Sequence, residues 1–341
     1  MTTLITGASG FIGSVLLAEL LSRGRNVRVL LHENSGELES SGVDCVRGDV
    51  RDPASLAAAV DGVESVFHLA GLISLSGDLG GRVTATNVAG AENMARAALS
   101  AGVRRFVHFS SVHAFDLRDT SIEVNEESPR VGDSHPVYDR TKWAGEQRVR
   151  AVVAEGLDAV IVHPAGVMGP GDHAPSRIGQ VCLDLEAKRL PLLIPGGFDW
   201  VDVRDVVAGA LGAEERGRTG ESYLLSGSWA SARQLGEIGA RTTGVAPPRG
   251  DLPMWLADGL AQFGDCWSWM TGREARLNSD ALVALKATRR ISHVKASSEL
   301  GYAPRPIEDT VVDTYRWFDE AGMLRCPLAK LAPAASPGGA L

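Results

Sequence analysis

Thr3-Leu4-Ile5-Thr6-Gly7-Ala8-Ser9-Gly10-Phe11-Ile12-Gly13 stands at the start of the chain, and the expected fold follows from it. The apolar residues 3–5 are typical of a short strand, and residues 14–23 continue at helical period until Gly24. Three glycines lie three residues apart in the turn between these segments. A strand, a glycine-rich turn and a helix in this order predict the first unit of a parallel α/β sheet.

The glycine turn has the spacing of a dinucleotide-binding loop. Glycines let the backbone approach a pyrophosphate, and the N-terminus of the next helix offers free N–H groups and a positive dipole end. The alternative is a turn that is rich in glycine for packing alone. The loop residues expected to contact the cofactor are Gly7, Ser9, Gly10, Phe11, Ile12 and Gly13.

Strand-like segments alternate with helical ones through the first half of the chain, at residues 26–31, 44–47, 65–69 and 105–109. This alternation predicts an α/β fold, a Rossmann-type doubly wound parallel sheet. We expect a smaller, mostly helical C-terminal substrate lobe. Because ligands of such sheets bind at the carboxyl ends of the strands, the residues after each strand are the candidates for cofactor contacts.

The end of the second strand is expected to meet the adenosine ribose. His32 can face a 2′-phosphate there, whereas Glu33 can take a ribose hydroxyl, and either can be a plain solvated side chain. The balance favours NADP slightly over NAD, because no carboxylate stands at Leu31. Further cofactor contacts are expected from residues after later strands and from one helical amide, namely Asp49, Val50, Leu69, Ala70, Gly71 and Asn87.

Tyr138 and Lys142 are four residues apart in a helical segment that follows Pro136. In a helix they share one face, and an ammonium beside a phenol lowers the pKa of that phenol. Alone, such a pair is usually a surface Tyr and a solvated Lys. The Ser110-Ser111 pair at the end of the fifth strand makes a catalytic reading stronger, since a serine hydroxyl there can donate to the same substrate oxygen.

Composition narrows the classes of partner. The chain has 341 residues, a net charge of −8 and a pI of about 5.5, which give no sign of a nucleic-acid partner. Its four cysteines have no metal-ligand spacing, so we expect no metal and reduced thiols in the cytoplasm. A strand at residues 1–6 leaves no room for a signal peptide. Residues 252–270 are apolar but include Asp258 and Asp265, which favours a helix of the folded protein over a membrane span.

With these motifs in view, the sequence resembles the extended short-chain dehydrogenase/reductases. That group includes the NAD-dependent epimerase/dehydratases and the dihydroflavonol 4-reductase-like enzymes. The resemblance continues through residues 163–172, 199–206 and 299–306. It implies that Ser111, rather than Ser110, is catalytic, that Tyr138 is the acid/base, and that Lys142 also holds the nicotinamide ribose.

The resemblance also adds Pro164 and Val167 to the cofactor contacts. Two positions depart from relatives. His163 stands where many relatives carry Arg, some of which act on sugar nucleotides. His32 stands where plant dihydroflavonol reductases usually carry Arg, so their NADPH preference does not transfer directly.

The expected division places residues 1–163 and 198–226 in the NAD(P)-binding domain, and residues 164–197 and 227–325 in the substrate lobe. Residues 326–341 are rich in Pro, Ala and Gly and are expected to form a disordered tail. Trp255, Trp267 and Trp269 either line an apolar pocket or pack in the lobe's core, and core packing is favoured.

The leading expectation for function is an NAD(P)-dependent oxidoreductase that interconverts a ketone and a secondary alcohol on a small, partly apolar substrate. His113, Asp116 and Trp200 are the candidate substrate contacts. The alternatives are an NDP-sugar epimerase or dehydratase with tightly bound NAD, and a nucleotide-sensing binder without activity. No membrane partner is expected, and a homodimer is one expectation for the assembly.

Overall fold

The computed structural model describes residues 2–32, 38–39, 42–74, 77–271, 279–286 and 290–328. Glu33 and the tail from residue 329 lie outside the described residues, as do the side chains of Trp267 and Trp269.

The larger sheet has seven parallel strands in the order β3-β2-β1-β4-β5-β6-β9. Central strands are buried on both faces and therefore read as nearly continuous apolar runs, such as Ala159–Pro164. The strand order reverses between β1 and β4, which creates the crevice where such sheets bind ligands. The bounds are β1 Thr2–Thr6, β2 Asn26–Leu31, β3 Asp44–Arg47, β4 Ser65–His68, β5 Arg105–Phe109, β6 Ala159–Pro164 and β9 Ser222–Leu225.

Helices cover both faces of this sheet. On one face the apolar side chains of Leu16 and Leu20 pack with those of Val206 and Ala210. On the other face a second core joins residues of the helices before and after β5 to the sheet. The helices that pack on this sheet are α1 Phe11–Ser22, α2 Ala57–Val60, α3 Arg82–Thr84, α4 Gly90–Ser100, α5 Val137–Ala154 and α7 Val203–Arg216.

A three-stranded sheet and further helices form the smaller C-terminal region. Its central strand β8 (Gly197–Asp202) pairs in parallel with β7 (Gly166–Met168) and antiparallel with β10 (Ser228–Ser231). Its helices are α6 Arg177–Glu186, α8 Ala232–Thr243, α9 Met254–Thr271, α10 Ser279–Leu285, α11 Val294–Leu300 and α12 Ile307–Glu320. The predicted α/β class, the parallel sheet and the smaller C-terminal region are thus confirmed.

The apolar stretch near residue 260 forms helix α9, as expected. Within the described part of the chain, no helix is both long and apolar enough to cross a membrane. The side chain of Trp255 is 75% exposed, so the expected core packing is wrong for this residue.

Candidate active site

The three glycines of the first turn have different physical reasons to be glycine. Gly7 has φ +74°, and a Cβ there would lie 2.9 Å from the backbone nitrogen of Ala70. A Cβ on Gly13 would collide with the carbonyl oxygen of Gly7. At Gly10 the nearest atom to a Cβ is the Gly7 oxygen, at 3.3 Å. Gly7 and Gly13 therefore serve local packing, whereas the exposed Gly10 is the position that leaves the turn open.

Helix α1 begins immediately after Gly10, which caps it without a side-chain hydrogen bond. The N–H groups of its first turn lack intrahelical acceptors and form a ready site for an anion. Ser9 is exposed beside this turn, and Phe11 and Ile12 are half-buried. The turn and the helix end fit the pyrophosphate of a dinucleotide.

Thr6 links the glycine turn to the end of strand β4. Its Oγ1 lies 2.8 Å from Nδ1 of the buried His68 and accepts a hydrogen bond of 3.0 Å from the backbone nitrogen of Ala70. These contacts fix the path of Leu69, Ala70 and Gly71 beside the turn. Sequence reasoning did not identify Thr6, although its place at the end of β1 makes such a contact natural.

The ends of β2 and β3 bring His32, Asp49 and Arg51 together. Arg51 donates to the Asp49 carboxylate from Nε at 2.9 Å and from Nη2 at 2.6 Å. His32 Nε2 lies 3.0 Å from Asp49 Oδ2 and 2.9 Å from Arg51 Nη2. The hydrogen bonds from Arg51 lower the pKa of Asp49 to about 2. Sequence analysis placed His32 and Asp49 here but missed Arg51, the strongest cation of the cluster.

Val50 follows Asp49 with a buried side chain, and its carbonyl oxygen accepts from Asn93 Nδ2 at 2.9 Å. The carbonyl oxygen of Val50, an expected cofactor contact, is thus already hydrogen-bonded within the protein.

Asn87 lies in a π-helical segment, Ala85–Ala89, between α3 and α4. Its Oδ1 accepts from the backbone nitrogen of Leu72 at 2.8 Å, and its Nδ2 donates to the Leu72 carbonyl and to Thr141 Oγ1. The amide therefore braces the segment after β4 against helix α5. Gly71 lies beside it, since a Cβ there would be 3.2 Å from Asn87 Oδ1 and 3.8 Å from Lys142 Nζ.

Ser111 and Tyr138 meet at the carboxyl end of β5. Ser111 is buried and its Oγ accepts a hydrogen bond from the backbone nitrogen of His113 at 3.2 Å. Tyr138 stands in the first turn of α5, with its hydroxyl close enough to that of Ser111 for the serine to lower its pKa. Burial raises the pKa of Tyr138 to about 12, against the smaller opposing effect of Ser111. The phenol is therefore protonated at neutral pH.

Lys142 lies one turn after Tyr138, as the spacing predicted, but its ammonium contacts a backbone carbonyl. Nζ donates to the carbonyl oxygen of Phe109 at 2.7 Å, and burial lowers the pKa of Lys142 to about 8 while Glu146 opposes this shift. The expectation that Lys142 lowers the pKa of Tyr138 is wrong for this arrangement, because burial of the phenol dominates.

An aromatic surface adjoins Tyr138. The His113 ring stacks on Phe198 at 5.6 Å between centroids and meets the Tyr138 ring edge-on at 5.8 Å. Phe198 in turn contacts Trp200 at 5.7 Å. Trp200 donates from Nε1 to the carbonyl oxygen of Ala230. A ligand can therefore contact its ring but not its N–H group. We call His113, Phe198 and Trp200 the aromatic wall; sequence analysis missed Phe198.

Gly166 and Asp139 hold this aromatic wall in place. A Cβ on Gly166 would lie 2.6 Å from the Phe198 ring, so a glycine is needed for the close approach of the strand. Nδ1 of His113 lies 3.1 Å from Asp139 Oδ1, which orients the imidazole. Pro164 ends strand β6, and Val167 lies in the adjacent β7, half-buried near the wall.

Asp116 is engaged by neighbouring cations. Arg118 donates to its carboxylate from Nε at 2.9 Å and from Nη2 at 2.7 Å, and His135 Nε2 lies 3.2 Å away. The hydrogen bond from Arg118 holds the pKa of Asp116 well below its usual range. A cavity of about 360 Å³ adjoins this cluster, lined by Arg118, Ser134, His135, Pro136 and Val283.

Among the described residues, no cluster of His, Cys, Asp and Glu has the arrangement of a metal site. The polar groups at the carboxyl edge are instead a glycine turn, a helix N-terminus, a Ser–Tyr pair and a lysine. This set suits a nicotinamide dinucleotide beside a carbonyl or alcohol.

Comparison with known proteins defines the class. A profile of the NAD-dependent epimerase/dehydratase family matches residues 3–226. The chain therefore belongs to this family, within the extended short-chain dehydrogenase/reductases, and is an NAD(P)-dependent enzyme that acts on a small molecule. The resemblance found in the sequence is confirmed.

Particular relatives cover nearly the whole chain. Sterol demethylase protein B of Methylococcus capsulatus is 34% identical over 95% of this chain and 100% of its own length. A Synechocystis sp. protein provisionally named dihydroflavonol 4-reductase is 30% identical over 94% and 95%. A 4-hydroxy-2-methyl-3-oxo-4-farnesyl-3,4-dihydroquinoline-1-oxide ketoreductase of Stigmatella aurantiaca is 28% identical over 96% and 99%.

Solved structures share the fold. The crystal structure of gox2253 superposes with a TM-score of 0.82 at 33% identity, covering 95% of this chain and 99% of the other. A nucleoside-diphosphate-sugar epimerase from Pseudomonas aeruginosa gives a TM-score of 0.76 at 23% identity over the same shares, which speaks for the fold alone.

Proposed function

We propose that this oxidoreductase interconverts a ketone and a secondary alcohol on an apolar organic substrate, with Tyr138 as the acid/base. The observation that carries the proposal is the proximity of the Ser111 and Tyr138 hydroxyls at the carboxyl edge of the sheet, with Lys142 one helical turn away. The Stigmatella relative is itself a ketoreductase, which supports this class of reaction.

The nicotinamide cofactor supplies the hydride when it is bound. Ser111 and Tyr138 each offer a hydroxyl to one substrate oxygen, which fixes its position. A phenol whose pKa is raised to about 12 is protonated at neutral pH and can donate its proton to the substrate oxygen, which suits reduction of a ketone. Lys142, when protonated, adds a positive charge and a donor beside the sugar of the nicotinamide.

The aromatic wall supports an apolar substrate. Rings of His113, Phe198 and Trp200 continue directly from the Tyr138 ring, so a flat hydrophobic group beside the reacting carbon would pack on them. The expected role of Asp116 in binding substrate hydroxyl groups is weakened, because Arg118 already occupies its carboxylate. In this proposal the substrate lobe comprises residues 164–197 and 227–325.

Arg51 and His32 support the lean to NADP. Both are basic, and they meet at the ends of β2 and β3, where the adenosine ribose of a dinucleotide would lie. A 2′-phosphate there could share Arg51 with Asp49 in a bidentate contact. NAD would leave Arg51 with its contacts to Asp49 and His32.

The epimerase alternative rests on structural relatives that bind sugar nucleotides. Such a substrate carries a diphosphate that needs fixed cations in the lobe. The candidate cations of the lobe are Arg177, Lys188, Arg189, Arg273 and Arg276. Of these, Arg189 donates to the buried Asp184 at 2.7 Å and is thereby committed. Arg273 and Arg276 lie outside the described residues.

The two functions are separated by one assay. Purified protein is incubated with NADPH or NADH, with a panel of hydrophobic cyclic ketones, and with UDP- or dTDP-sugars as competitors. Stoichiometric cofactor oxidation with a ketone, undisturbed by the sugar nucleotides, supports the reductase. A sugar nucleotide that binds tightly and is epimerised without net cofactor oxidation contradicts it.

A further inference from the structure

Glu146 is a buried carboxylate one helical turn after Lys142, and it has no part in the site as described so far. Its side chain has no solvent exposure. Arg130 Nη1 lies 3.2 Å from Oε2, and Arg150 Nε donates to Oε1 at 2.9 Å. Such a carboxylate is retained in a core only when charged partners compensate its lost hydration.

Two further partners of Glu146 belong to the strands that carry the site. Ser110 Oγ, next to Ser111, is 3.4 Å from Oε2. His163 Nε2 is 3.5 Å from the same oxygen, and Nδ1 of that ring is 3.0 Å from the carbonyl oxygen of Ser111. Glu146 thus connects helix α5, which bears Tyr138 and Lys142, to both ends of the Ser110-Ser111 segment.

The surroundings leave Glu146 as an anion that faces several cations. Burial raises the pKa of Glu146, but the His163 ring and the charges of Arg130 and Arg150, which contact the carboxylate directly, outweigh this effect and lower the pKa overall. Its field acts on Lys142 in the sense that favours the ammonium. The guanidinium of Arg130 also lies 3.7 Å from the centroid of Phe115, which fixes its position.

Other ionisable groups near Lys142 are neutral histidines. His68 from β4 and His108 from β5 are buried, and burial lowers the pKa of His68 to about 3 and that of His108 well below its usual value. Burial likewise lowers the pKa of His163 to about 4. Since Tyr138 titrates near 12, Lys142 is the member of this cluster that changes charge between pH 7 and 10.

We propose that Glu146 is a positioning residue that holds Lys142 in its charged form and locks helix α5 to the Ser110-Ser111 strand end. The inference rests on the proposed function only through the role of Lys142 beside the nicotinamide ribose. Glu146 follows Tyr138 and Lys142 at intervals of four residues. Its carboxylate supplies a negative charge that the hydroxyl groups of Ser111 and Tyr138 cannot supply.

The test is the pH dependence of NADPH and NADH binding, followed by nicotinamide fluorescence from pH 6 to 10. This readout needs no substrate. In the wild type, affinity should fall on the alkaline side as Lys142 loses its proton. Glu146→Gln keeps the shape of the side chain and should move this alkaline limb to lower pH by roughly one unit, as expected when an opposite charge is removed.

Arg150→Gln is the matched control, because it removes a half-buried cation from the same carboxylate. It should lower thermal stability but leave the alkaline limb in place or move it to higher pH. If Glu146→Gln does not fold, the double variant Glu146→Gln/Arg150→Gln balances the lost charges, and its alkaline limb should lie at lower pH than that of Arg150→Gln alone.

Three results overturn the inference: no alkaline limb in the wild type, an unmoved limb in a folded Glu146→Gln variant, or a downward shift in Arg150→Gln. A downward shift in Arg150→Gln overturns the inference even if neither Glu146 variant folds. Cofactor binding with the expected limbs but no reduction of any ketone would contradict the proposed function and leave this inference standing.

Discussion

The ammonium of Lys142 donates a hydrogen bond to the carbonyl oxygen of Phe109 at 2.7 Å. This bond ties helix α5 to the last residue of β5, directly before Ser110-Ser111. The pKa of Tyr138 is set instead by the burial of its phenol, which raises it to about 12. Tyr138 is therefore a protonated donor at neutral pH, and in the proposed function the positive charge of Lys142 serves the nicotinamide ribose.

Tyr138→Phe should abolish most turnover and keep cofactor affinity. The ring contact with His113 at 5.8 Å remains, while the proton donor to the substrate oxygen is lost. We expect kcat to fall by roughly 10²–10⁴-fold. The measurement is kcat together with the Kd of NADPH by calorimetry; near-wild-type turnover would remove Tyr138 from the chemistry.

Gly10→Val should weaken dinucleotide binding with the fold retained. Gly10 is exposed at the N-terminus of α1, so a branched side chain would stand in the path of the pyrophosphate. Gly13→Ala is the contrasting variant, because its Cβ would collide with the Gly7 carbonyl and should lower the melting temperature. Calorimetric titration and thermal melts of both variants separate the effects; unchanged affinity in a folded Gly10→Val protein would show that this glycine serves packing.

Arg51→Ala should reduce affinity for NADPH by roughly 10- to 150-fold and leave NADH affinity nearly unchanged, since one charge-assisted contact to phosphate is worth about 1.5–3 kcal/mol. Arg47→Ala, an exposed arginine on the neighbouring strand, is the matched control. The readout is the ratio of the two dissociation constants. An equal loss for both cofactors, or a wild type that prefers NADH, refutes the NADP assignment.

Asp199→Asn should stabilise the protein at alkaline pH. Asp199 is buried beside the aromatic wall, accepts from the Gly227 nitrogen at 2.8 Å, and burial raises its pKa to about 7. A raised carboxyl pKa contributes stability that is present below the unfolded value of 3.8 and lost as pH rises through about 7. The free energy of unfolding falls by roughly 1.4 kcal/mol for each pH unit between the unfolded and folded pKa values.

The gain in melting temperature of Asp199→Asn over wild type should therefore grow from pH 5 to pH 8 and then stay constant. Asp61→Asn, at an exposed turn, serves as the control. A difference that does not change with pH would mean that Asp199 is ionised throughout.

Local patterns made the fold predictable. The strand–glycine–helix order, the alternation of elements and the position of Tyr138 and Lys142 on one helix all follow from short-range spacing, and the structure confirms them. Charge pairing was not predictable, because the partners are far apart in sequence. Glu146 meets His163, and Phe198 stacks on His113, only once the chain has folded.

Some of these partners left a weak signal. Arg51 is two residues from Asp49, and Glu146 is one turn from Lys142, so each was visible as a neighbour of a predicted site residue. Their roles depend on burial, which the sequence does not specify at single positions. The same holds for Asp116, whose neighbour Arg118 takes the carboxylate that was assigned to substrate.

The most direct test of the account follows the hydride itself. Deuterated NADPH or NADH, labelled at the transferable position, is incubated with the protein and a hydrophobic cyclic ketone, and the product is analysed by mass spectrometry. We predict one deuterium on the carbinol carbon for each cofactor oxidised. Tyr138→Phe should transfer the label only at the reduced rate expected from its lower kcat. Absence of label from every apolar alcohol, together with epimerisation of a sugar nucleotide without net cofactor oxidation, would contradict the account.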